Sequence, residues 1–353
     1  KENTTTETAR NKIKYAKGFT IKLENGVKKL SIHSPYQNNT KTFKYIISSK
    51  HSSSRNKINH IHIPINKIVI TSTTHVPMVE MLGEEKSVVG FPYSKYISSE
   101  KTRALIDNGK IKEIGKESSL NTEILLDLQP DLVVGYSVSY ADKALTTIEN
   151  SGIPVIYNGD WLEETPLGRA EWIKFFGVLY NKEREADSIF NIIEKNYLNA
   201  KALASKTEKQ PTILSGAIMN KDIWNLPAGD SFVAQFLKDA HLNYLWKNTK
   251  GSGSLSLSLE SIFDKGANAD FWIAPGYYAS KEQMLQNNEI YKEFKSFKEN
   301  KIYTPSTKKG ATGGIIYYEL APTRPDLVLK DLIKITNPDL LKNYQLTFFE
   351  QMK

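Results

Sequence analysis

The chain carries the same short pattern of residues twice, at positions 120–136 and again at 257–274. In each copy a glutamate, Glu123 or Glu260, begins a short segment with the apolar spacing of a helix, and a tight turn and an apolar strand follow. A negative charge at a helix start is stabilised by the helix dipole. A repeated helix–strand unit predicts two lobes of similar build, and the cleft between two lobes is a common place for a ligand.

Size and composition are compatible with two ordinary domains. The chain has 353 residues, of which 40% are hydrophobic and 24% charged, as in soluble globular proteins. No stretch approaches the roughly 18 consecutive apolar residues of a membrane span. The chain has no cysteine, which excludes disulfides, thiolate metal sites, iron–sulfur clusters and cysteine nucleophiles. This absence fits an oxidising compartment, where free thiols are a liability.

The formal net charge of +8 is concentrated near the N-terminus. Residues 1–60 hold 13 of the 47 Lys and Arg residues but only 3 of the 39 Asp and Glu residues. The rest of the chain is therefore close to neutral. A basic leader beside an anionic lipid surface, or a solvated tail, explains this distribution better than a nucleic-acid-binding face, and no nucleic-acid-binding motif accompanies it.

The first sixty residues predict an extension outside the two lobes. Residues 1–15 are polar and threonine-rich, and we expect a disordered leader. Residues 16–59 form a β extension and linker, with strands at 19–23, 27–32 and 43–47 and a hairpin turn at Asn25 and Gly26. The polar residues 50–57 are the linker.

Strands alternate with helices in the rest of the chain, which predicts parallel sheets. Residues 60–165 form the N-terminal lobe and residues 211–353 the C-terminal lobe. Residues 166–210 form the backbone helices between them. Asn181 is expected to cap the longest of these helices, whose apolar residues recur at intervals of three or four at Ala186, Ile189, Ile193, Tyr197, Ala200 and Ala204. The predicted fold class is α/β: two Rossmann-like lobes joined by a long rigid α-helix, with an N-terminal antiparallel β extension.

These features resemble a known family. Residues 60–345, and above all the stretch from Glu123 through Gln129, Pro130 and Asp131, are similar to the substrate-binding proteins of ABC importers. The resemblance is to the helical-backbone class, class III, which delivers ferric siderophores, haem or cobalamin. The second copy of the repeat departs from the pattern, because residues 265–268 replace the compact turn at Gln129 and Pro130.

The resemblance implies a partner for the two repeated glutamates. In this family, two such glutamates bind arginines on the membrane permease dimer, which makes Glu123 and Glu260 the docking pair. Two exposed acids placed alike on two lobes can meet two basic sockets, with charge steering the encounter. The alternative is that each glutamate only begins its helix. The matching placement in both copies favours docking.

Ligands of open α/β sheets bind beyond the carboxyl ends of the strands, where this chain is rich in aromatic and basic residues. Each residue could also pack in the core or on the surface. Arg169 could pair with Glu163 or Glu164, and Arg324 could be purely structural. The candidate ligand-binding residues are Tyr93, Lys95, Tyr96, Tyr136, Trp161, Arg169, Trp224, Trp246, Ser254, Tyr277, Tyr278 and Arg324.

The expected function is binding without chemistry. The chain lacks a nucleophile elbow, a P-loop and a dinucleotide fingerprint, and we expect no catalytic residue, no metal site and no cofactor. His60 and His62 share a strand face but have no third metal ligand nearby in sequence. The resemblance implies a ferric siderophore as ligand, with cobalamin or haem as the alternatives. It also implies a monomer in the periplasm or cell envelope, held by a lipid anchor before Lys1. A surface capture lipoprotein without a permease remains a second reading.

Overall fold

The computed structural model describes residues 13–24, 27–37, 39–49, 59–116, 119–138 and 143–353. The predicted turn at Asn25 and Gly26, the linker at 50–57 and most of the predicted leader lie outside these residues.

A four-stranded sheet precedes the lobes. Its strands run in the order β1-β2-β3-β4, with the first three antiparallel and β4 parallel to β3. The predicted antiparallel extension is therefore confirmed. The segment at 60–62, which was expected to open the first lobe, is instead the fourth strand of this sheet, because Ile61 pairs with Ile47 and both are buried. The strands are β1 (Phe19–Glu24), β2 (Val27–His33), β3 (Thr42–Ser48) and β4 (His60–His62).

The end of the predicted leader is ordered, so the expectation of disorder is wrong for residues 13–15. The backbone N–H groups of Lys14, Tyr15 and Ala16 all donate to the Glu171 carboxylate, at 2.6–3.0 Å. The Tyr15 hydroxyl donates to Glu194 at 2.7 Å. Glu171 is fully buried, and the three N–H groups supply the hydrogen bonds that a buried carboxylate requires. The segment is held by a residue that is distant in sequence.

The first lobe is a parallel five-stranded sheet in the order β11-β10-β5-β6-β7. Four of its strands are short, apolar and largely buried, as expected of strands covered on both faces, whereas the edge strand β7 is charged and exposed. The strands are β5 (Ile68–Ile70), β6 (Val88–Phe91), β7 (Lys112–Glu113), β10 (Leu132–Gly135) and β11 (Val155–Tyr157), and β8 (Gly115–Lys116) and β9 (Ser119–Leu120) form a separate ribbon. The helices are α1 (His75–Met81), α2 (Glu100–Asp107), α3 (Thr122–Leu128) and α4 (Lys143–Asn150).

Three helices connect the lobes: α5 (Pro166–Glu171), α6 (Ile173–Leu179) and α7 (Glu183–Ala204). Helix α7 has 22 residues, so it is about 33 Å long. Asn181 does not cap it, because Asn181 has a left-handed backbone (φ 55°) and the helix begins after Lys182. Among the described residues, no helix combines the length and the apolar character needed to cross a bilayer.

Helix α7 belongs to the cores of both lobes. Near its start, Phe190 and Ile193 pack in the core shared by the first lobe and the N-terminal sheet. Near its end, Tyr197, Ala200 and Ala204 pack in the core of the second lobe. Bending the helix would disturb packing on both sides, so the connection between the lobes is stiff.

The second lobe contains a sheet in the order β15-β12-β17-β18-β19, in which only β19 is antiparallel, and a small antiparallel sheet β13-β14-β16. The strands are β12 (Thr212–Ser215), β13 (Ala217–Asn220), β14 (Ile223–Pro227), β15 (Asn243–Tyr244), β16 (Ser254–Ser258), β17 (Phe271–Ile273), β18 (Ile302–Thr304) and β19 (Glu350–Gln351). The helices are α8 (Phe232–Asp239), α9 (Leu259–Gly266), α10 (Lys281–Asn287), α11 (Lys295–Lys298), α12 (Ile316–Leu320) and α13 (Pro325–Thr336).

The two lobes place the repeat in the same position. In the first lobe, β10 follows the repeat helix α3 and lies between β5 and β11. In the second lobe, β17 follows α9 and lies between β12 and β18. Two α/β lobes of matching topology, the long helix and the N-terminal antiparallel sheet confirm the predicted fold class.

Candidate functional site

The two repeat helices begin in the same way. The Asn121 side chain caps α3 by accepting from the Ile124 N–H group, and the Ser258 side chain caps α9 by accepting from the Ser261 N–H group. Glu123 and Glu260 lie in the first turns of these helices and are exposed. Neither carboxylate has a hydrogen-bond or ion-pair partner in the described part of the chain. Each is therefore free to meet an external cation, and the docking role stays a prediction.

A cavity of about 270 Å³ lies between the lobes, where β5, β12 and β17 end. The first lobe contributes Thr74, and α5 contributes Pro166 and Arg169. The second lobe supplies the rest of a mostly apolar wall. This wall consists of Ser215, Gly216, Pro227, Phe232, Val233, Phe236, Ala274, Gly276, Tyr317, Tyr318, Ala321 and Pro322.

Arg169 is the charged residue of this wall. Its guanidinium carbon lies 3.5 Å from the ring centroid of Phe232. Its Nη2 donates to the Trp161 carbonyl at 2.5 Å, and its Nε donates to the Glu163 carbonyl at 3.2 Å. The side chain thus bonds to the Glu163 backbone and not to the Glu163 or Glu164 carboxylate. Burial lowers the pKa of Arg169, and the nearby Asp160 opposes this shift.

The structure brings two predicted aromatic residues to the same place. The rings of Tyr136 and Trp161 meet edge to face, 5.9 Å apart, and the Trp161 carbonyl holds Arg169. Tyr136 is 38% exposed, and burial together with the Asp160 charge raises the pKa of its hydroxyl. Tyr136 and Trp161 are thus linked by direct contacts to Arg169 of the cavity wall and lie beside the cavity.

Tyr93, Lys95 and Tyr96 form a rim on the first lobe. The rings of Tyr93 and Tyr96 are 5.8 Å apart, and the Lys95 ammonium lies 5.0 Å from the Tyr96 ring. The second lobe touches this rim, because Thr312 donates to the Lys95 carbonyl at 2.7 Å. A Cβ atom on Gly314 would lie 2.1 Å from the Tyr96 carbonyl oxygen, so only glycine permits this approach.

Tyr277 and Tyr278 lie on the other side of the cleft. Tyr277 is 68% exposed, and its ring lies 5.9 Å from the ring of Tyr318, a residue of the cavity wall. Tyr278 packs against Tyr291, with ring centroids 5.9 Å apart. Tyr277 therefore borders the cavity, whereas Tyr278 lies partly in the core behind it.

Two predicted ligand contacts are wrong. Trp224 is fully buried and stacks on Trp272, with ring centroids 5.2 Å apart. Trp246 is 3% exposed and packs against Gly266 in the same core. Trp224 also packs against Tyr291 and Phe294, and Trp246 lies against helix α9, so neither indole faces the cleft.

Ser254 and Arg324 lie outside the cavity wall. Ser254 begins β16 and is exposed opposite Pro227. Arg324 donates to both carboxylate oxygens of Asp326, at 2.9 and 2.8 Å. Their roles as ligand contacts stay predictions. The sequence analysis did not predict several residues of the cavity wall, among them Phe232 and Tyr317. Their only mark in the sequence is that Phe232 follows the helix-capping Ser231 and that Tyr317 follows a glycine-rich loop.

Glu319 of α12 binds the first lobe beside the cleft. Its carboxylate accepts from the backbone N–H groups of Ser98 and Ser99, at 2.7 and 2.9 Å, at the start of α2. Glu319 is 2% exposed, and burial raises its pKa to about 7. The two N–H groups oppose the rise, and the Glu80 charge adds to it. The contact between the lobes therefore depends on a carboxyl group that titrates near neutral pH.

Replacing Glu319 with glutamine is expected to remove a pH dependence of stability. Because the pKa of Glu319 is raised in the folded state, folding favours the protonated carboxyl group. Its contribution to the free energy of unfolding is therefore fully present below the ordinary pKa of 4.5 and is lost as the pH rises towards 7. The loss amounts to about 3 kcal/mol, at 1.4 kcal/mol per pKa unit. The difference in free energy of unfolding between wild type and E319Q should therefore change by that amount between pH 4.5 and 8.

Urea denaturation at several pH values measures this difference. The amide oxygen of E319Q can accept only one of the two N–H groups, which adds a constant loss of stability but no slope. The matched control is E100Q, an exposed acid on the same helix α2 that should keep the wild-type profile. A constant difference between wild type and E319Q across the pH range would refute the assignment.

Fold and cleft together define a two-lobed binding protein, and comparison with known families agrees. The family described as "Periplasmic binding protein" matches residues 68–307. The match spans more than half of the chain, so the chain belongs to this family. The matched range holds the first lobe, the connecting helices and most of the second lobe, and it excludes the N-terminal sheet.

Individual relatives are more distant. An uncharacterized lipoprotein of Methanocaldococcus jannaschii is 26% identical over 299 residues, which is 82% of this chain and 69% of that protein. The iron-uptake system-binding protein of Bacillus subtilis is 24% identical over 267 residues, which is 73% of this chain and 80% of that protein. The crystal structure of the petrobactin-binding protein of Bacillus subtilis has a TM-score of 0.60 at 17% identity, covering 87% of this chain and 99% of that chain. This last likeness concerns the fold alone.

Proposed function

We propose that this protein is the substrate-binding component of an ABC importer that captures an iron–siderophore complex and delivers it to the permease. The observation that carries the proposal is Arg169, a partly desolvated cation in an apolar, aromatic cavity between two lobes. The protein performs no chemistry in this role. It needs only to bind the chelate and to release it at the membrane.

A ferric chelate suits this cavity. The oxygen atoms that bind the iron carry negative charge and keep lone pairs at the edge of the chelate, and a guanidinium group can donate to two of them at once. Rings such as those of Tyr136 and Trp161 provide rigid apolar contact for the organic part of the chelate. Because α7 packs in both cores, the lobes close little around the ligand, and the cleft is largely formed in advance.

Haem suits the cavity less well. A haem iron is commonly held by histidine or by a deprotonated tyrosine. Among the described residues, no histidine lines the cavity wall, and His75 is fully buried behind it. Burial raises the pKa of both wall tyrosines, that of Tyr317 to about 12 and that of Tyr318 likewise upwards, which disfavours their phenolates. The name of the iron-uptake system-binding protein of Bacillus subtilis also supports an iron chelate.

The proposed partner is the permease dimer, met through Glu123 and Glu260. Their equal placement on two lobes fits two equal sockets. We propose that the protein acts as a monomer in the cell envelope, tethered by an N-terminal lipid anchor. The lipoprotein name of the archaeal relative supports the tether.

Titration with four ligands tests the proposal: a ferric catecholate, a ferric hydroxamate, haem and cyanocobalamin. Of the five tryptophans, Trp161 lies at the cleft, so its fluorescence should report binding. We expect a ferric chelate to bind more tightly than haem and cyanocobalamin. If only haem or cyanocobalamin binds, the protein is a haem- or cobalamin-binding member of the same class. If none of the four binds, the proposal is rejected.

Replacing Arg169 with glutamine is expected to weaken binding of the ferric chelate by roughly 10- to 100-fold, because hydrogen bonds to a charged group contribute about 1.5–3 kcal/mol. Isothermal titration measures the affinity. The matched control is R184Q, which removes an exposed arginine from α7, outside the cleft. If R169Q and R184Q bind the ferric chelate with equal affinity, Arg169 does not contact the ligand.

A further inference from the structure

A buried carboxylate lies directly behind the cavity wall. Asp160 follows β11 and begins a short 3-10 turn, Asp160–Leu162. It is 2% exposed. Its Oδ2 accepts from the Thr74 hydroxyl at 2.7 Å, and Thr74 is itself part of the wall. Its Oδ1 is buried and has no hydrogen-bond partner in the described part of the chain. The cavity is therefore backed by a negative charge whose hydrogen-bonding capacity is only half used.

The charge of Asp160 affects the ionisable groups at the cleft. It opposes the burial-driven fall in the pKa of Arg169, and it adds to the rise in the pKa of Tyr136. His75 lies close enough for its pKa to be affected by Asp160, but burial lowers that pKa to about 4. His75 is therefore neutral near pH 7, and Arg169 is the cation left to balance Asp160.

The floor of the cleft carries almost no net charge. Among the described residues of the cavity wall, Arg169 alone has a formal charge, and the buried Asp160 behind the wall opposes it. Arg324 is paired with Asp326. Lys95 is exposed at the rim, with its ammonium near the Tyr96 ring. A chelate with several negative charges would be attracted by Arg169 alone at the floor and repelled by the carboxylate of Asp160 behind it.

We propose that Asp160 is a specificity-determining residue that makes the cleft select iron chelates of low net charge with a hydrogen-bond donor, above all a protonated amine. This inference rests on the proposed function and narrows its ligand class. The acceptor oxygens of such a chelate meet Arg169, and its donor lies in the field of Asp160. Within a desolvated cleft this field is weakly screened, so one charge of the ligand changes the affinity measurably.

A matched pair of ligands isolates the effect. One is a linear ferric trihydroxamate with a pendant ammonium group, and the other is the same chelate with that amine acetylated. The iron centre is identical in the two, and acetylation replaces the ammonium group, with its charge and three N–H donors, by a neutral amide with one N–H donor. A trianionic ferric tris-catecholate is the third ligand. Each is titrated against wild type, D160N and the matched control D107N, which neutralises an exposed aspartate of α2 in the same lobe.

We expect wild type to bind the ammonium form about tenfold more tightly than the acetylated form, the size of a weakly screened attraction between two charges separated by the cavity wall. D160N should bring that ratio to about one and strengthen binding of the tris-catecholate severalfold, whereas D107N should resemble wild type. The ratio of the two affinities is measured on wild type alone, so the proposal can be tested even if D160N fails to fold. Equal wild-type affinities for the matched pair, or a ratio unchanged in D160N, would overturn the role of Asp160 and leave the proposed function in place. Binding of none of the three chelates would overturn both.

Discussion

Replacing Glu171 with alanine is expected to lower the free energy of unfolding by about 4 kcal/mol, the typical cost of removing one partner of a buried ion pair. The Glu171 carboxylate is fully buried and accepts from Lys174 at 2.9 Å as well as from three backbone N–H groups of residues 14–16. Alanine would leave the buried Lys174 ammonium with Asp187, 3.4 Å away, and would leave the three N–H groups without an acceptor.

Urea denaturation of the variant measures this loss. The matched control is E164A, which removes an exposed carboxylate paired with Lys17 and should cost less than about 1 kcal/mol. We also expect residues 14–16 of E171A to exchange their amide hydrogens faster than in wild type. A loss of stability equal to that of E164A would show that the N-terminal segment is not anchored at this carboxylate.

The features that sequence reasoning predicted well are those with a local cause. The repeat around Glu123 and Glu260 is visible because a capped helix start and an apolar strand are short, contiguous patterns. The connecting helix α7 is visible because its apolar residues recur along one face. Its start was misplaced because the left-handed backbone of Asn181 is set by the junction with α6 and not by the capping preference of asparagine.

The features that were missed depend on contacts between distant parts of the chain. Trp224 was predicted to line the cleft. In the structure, β14 pairs with β16 and the Trp224 indole lies in the core. The leader looked disordered because the residue that holds Tyr15, Glu171, is more than 150 positions away. The contact of Glu319 with Ser98 likewise joins two lobes, and no local pattern marks it.

Reversing the charge of both docking glutamates, in the double variant E123K/E260K, is expected to reduce uptake of the ferric chelate by at least about 100-fold. Loss of a charged pair at an interface costs about 2–5 kcal/mol, and one lysine would then face the like charge of each basic socket. Affinity for the chelate should stay within about twofold of wild type, because both residues lie outside the cavity wall. Uptake of radiolabelled iron chelate by cells carrying each variant measures the effect.

Two comparisons separate docking from a purely structural role. E123Q/E260Q removes the charges and the interaction with each helix dipole, worth about 0.5 kcal/mol per helix, and should reduce uptake without altering the affinity. E185K changes an exposed acid on α7 and should transport normally. If the double reversal lowers only the melting temperature and leaves uptake intact, the glutamates merely begin their helices. If it abolishes ligand binding, the docking role is also wrong.

A crystal structure of the protein with a bound ferric chelate would examine the site itself. We expect the chelate between the lobes, with an oxygen within hydrogen-bond distance of the Arg169 guanidinium, aromatic contact with Tyr136 or Trp161, and α7 as straight as in the free protein. A chelate seated on the N-terminal sheet or on an outer surface, with the cavity beside Arg169 empty, would contradict the account.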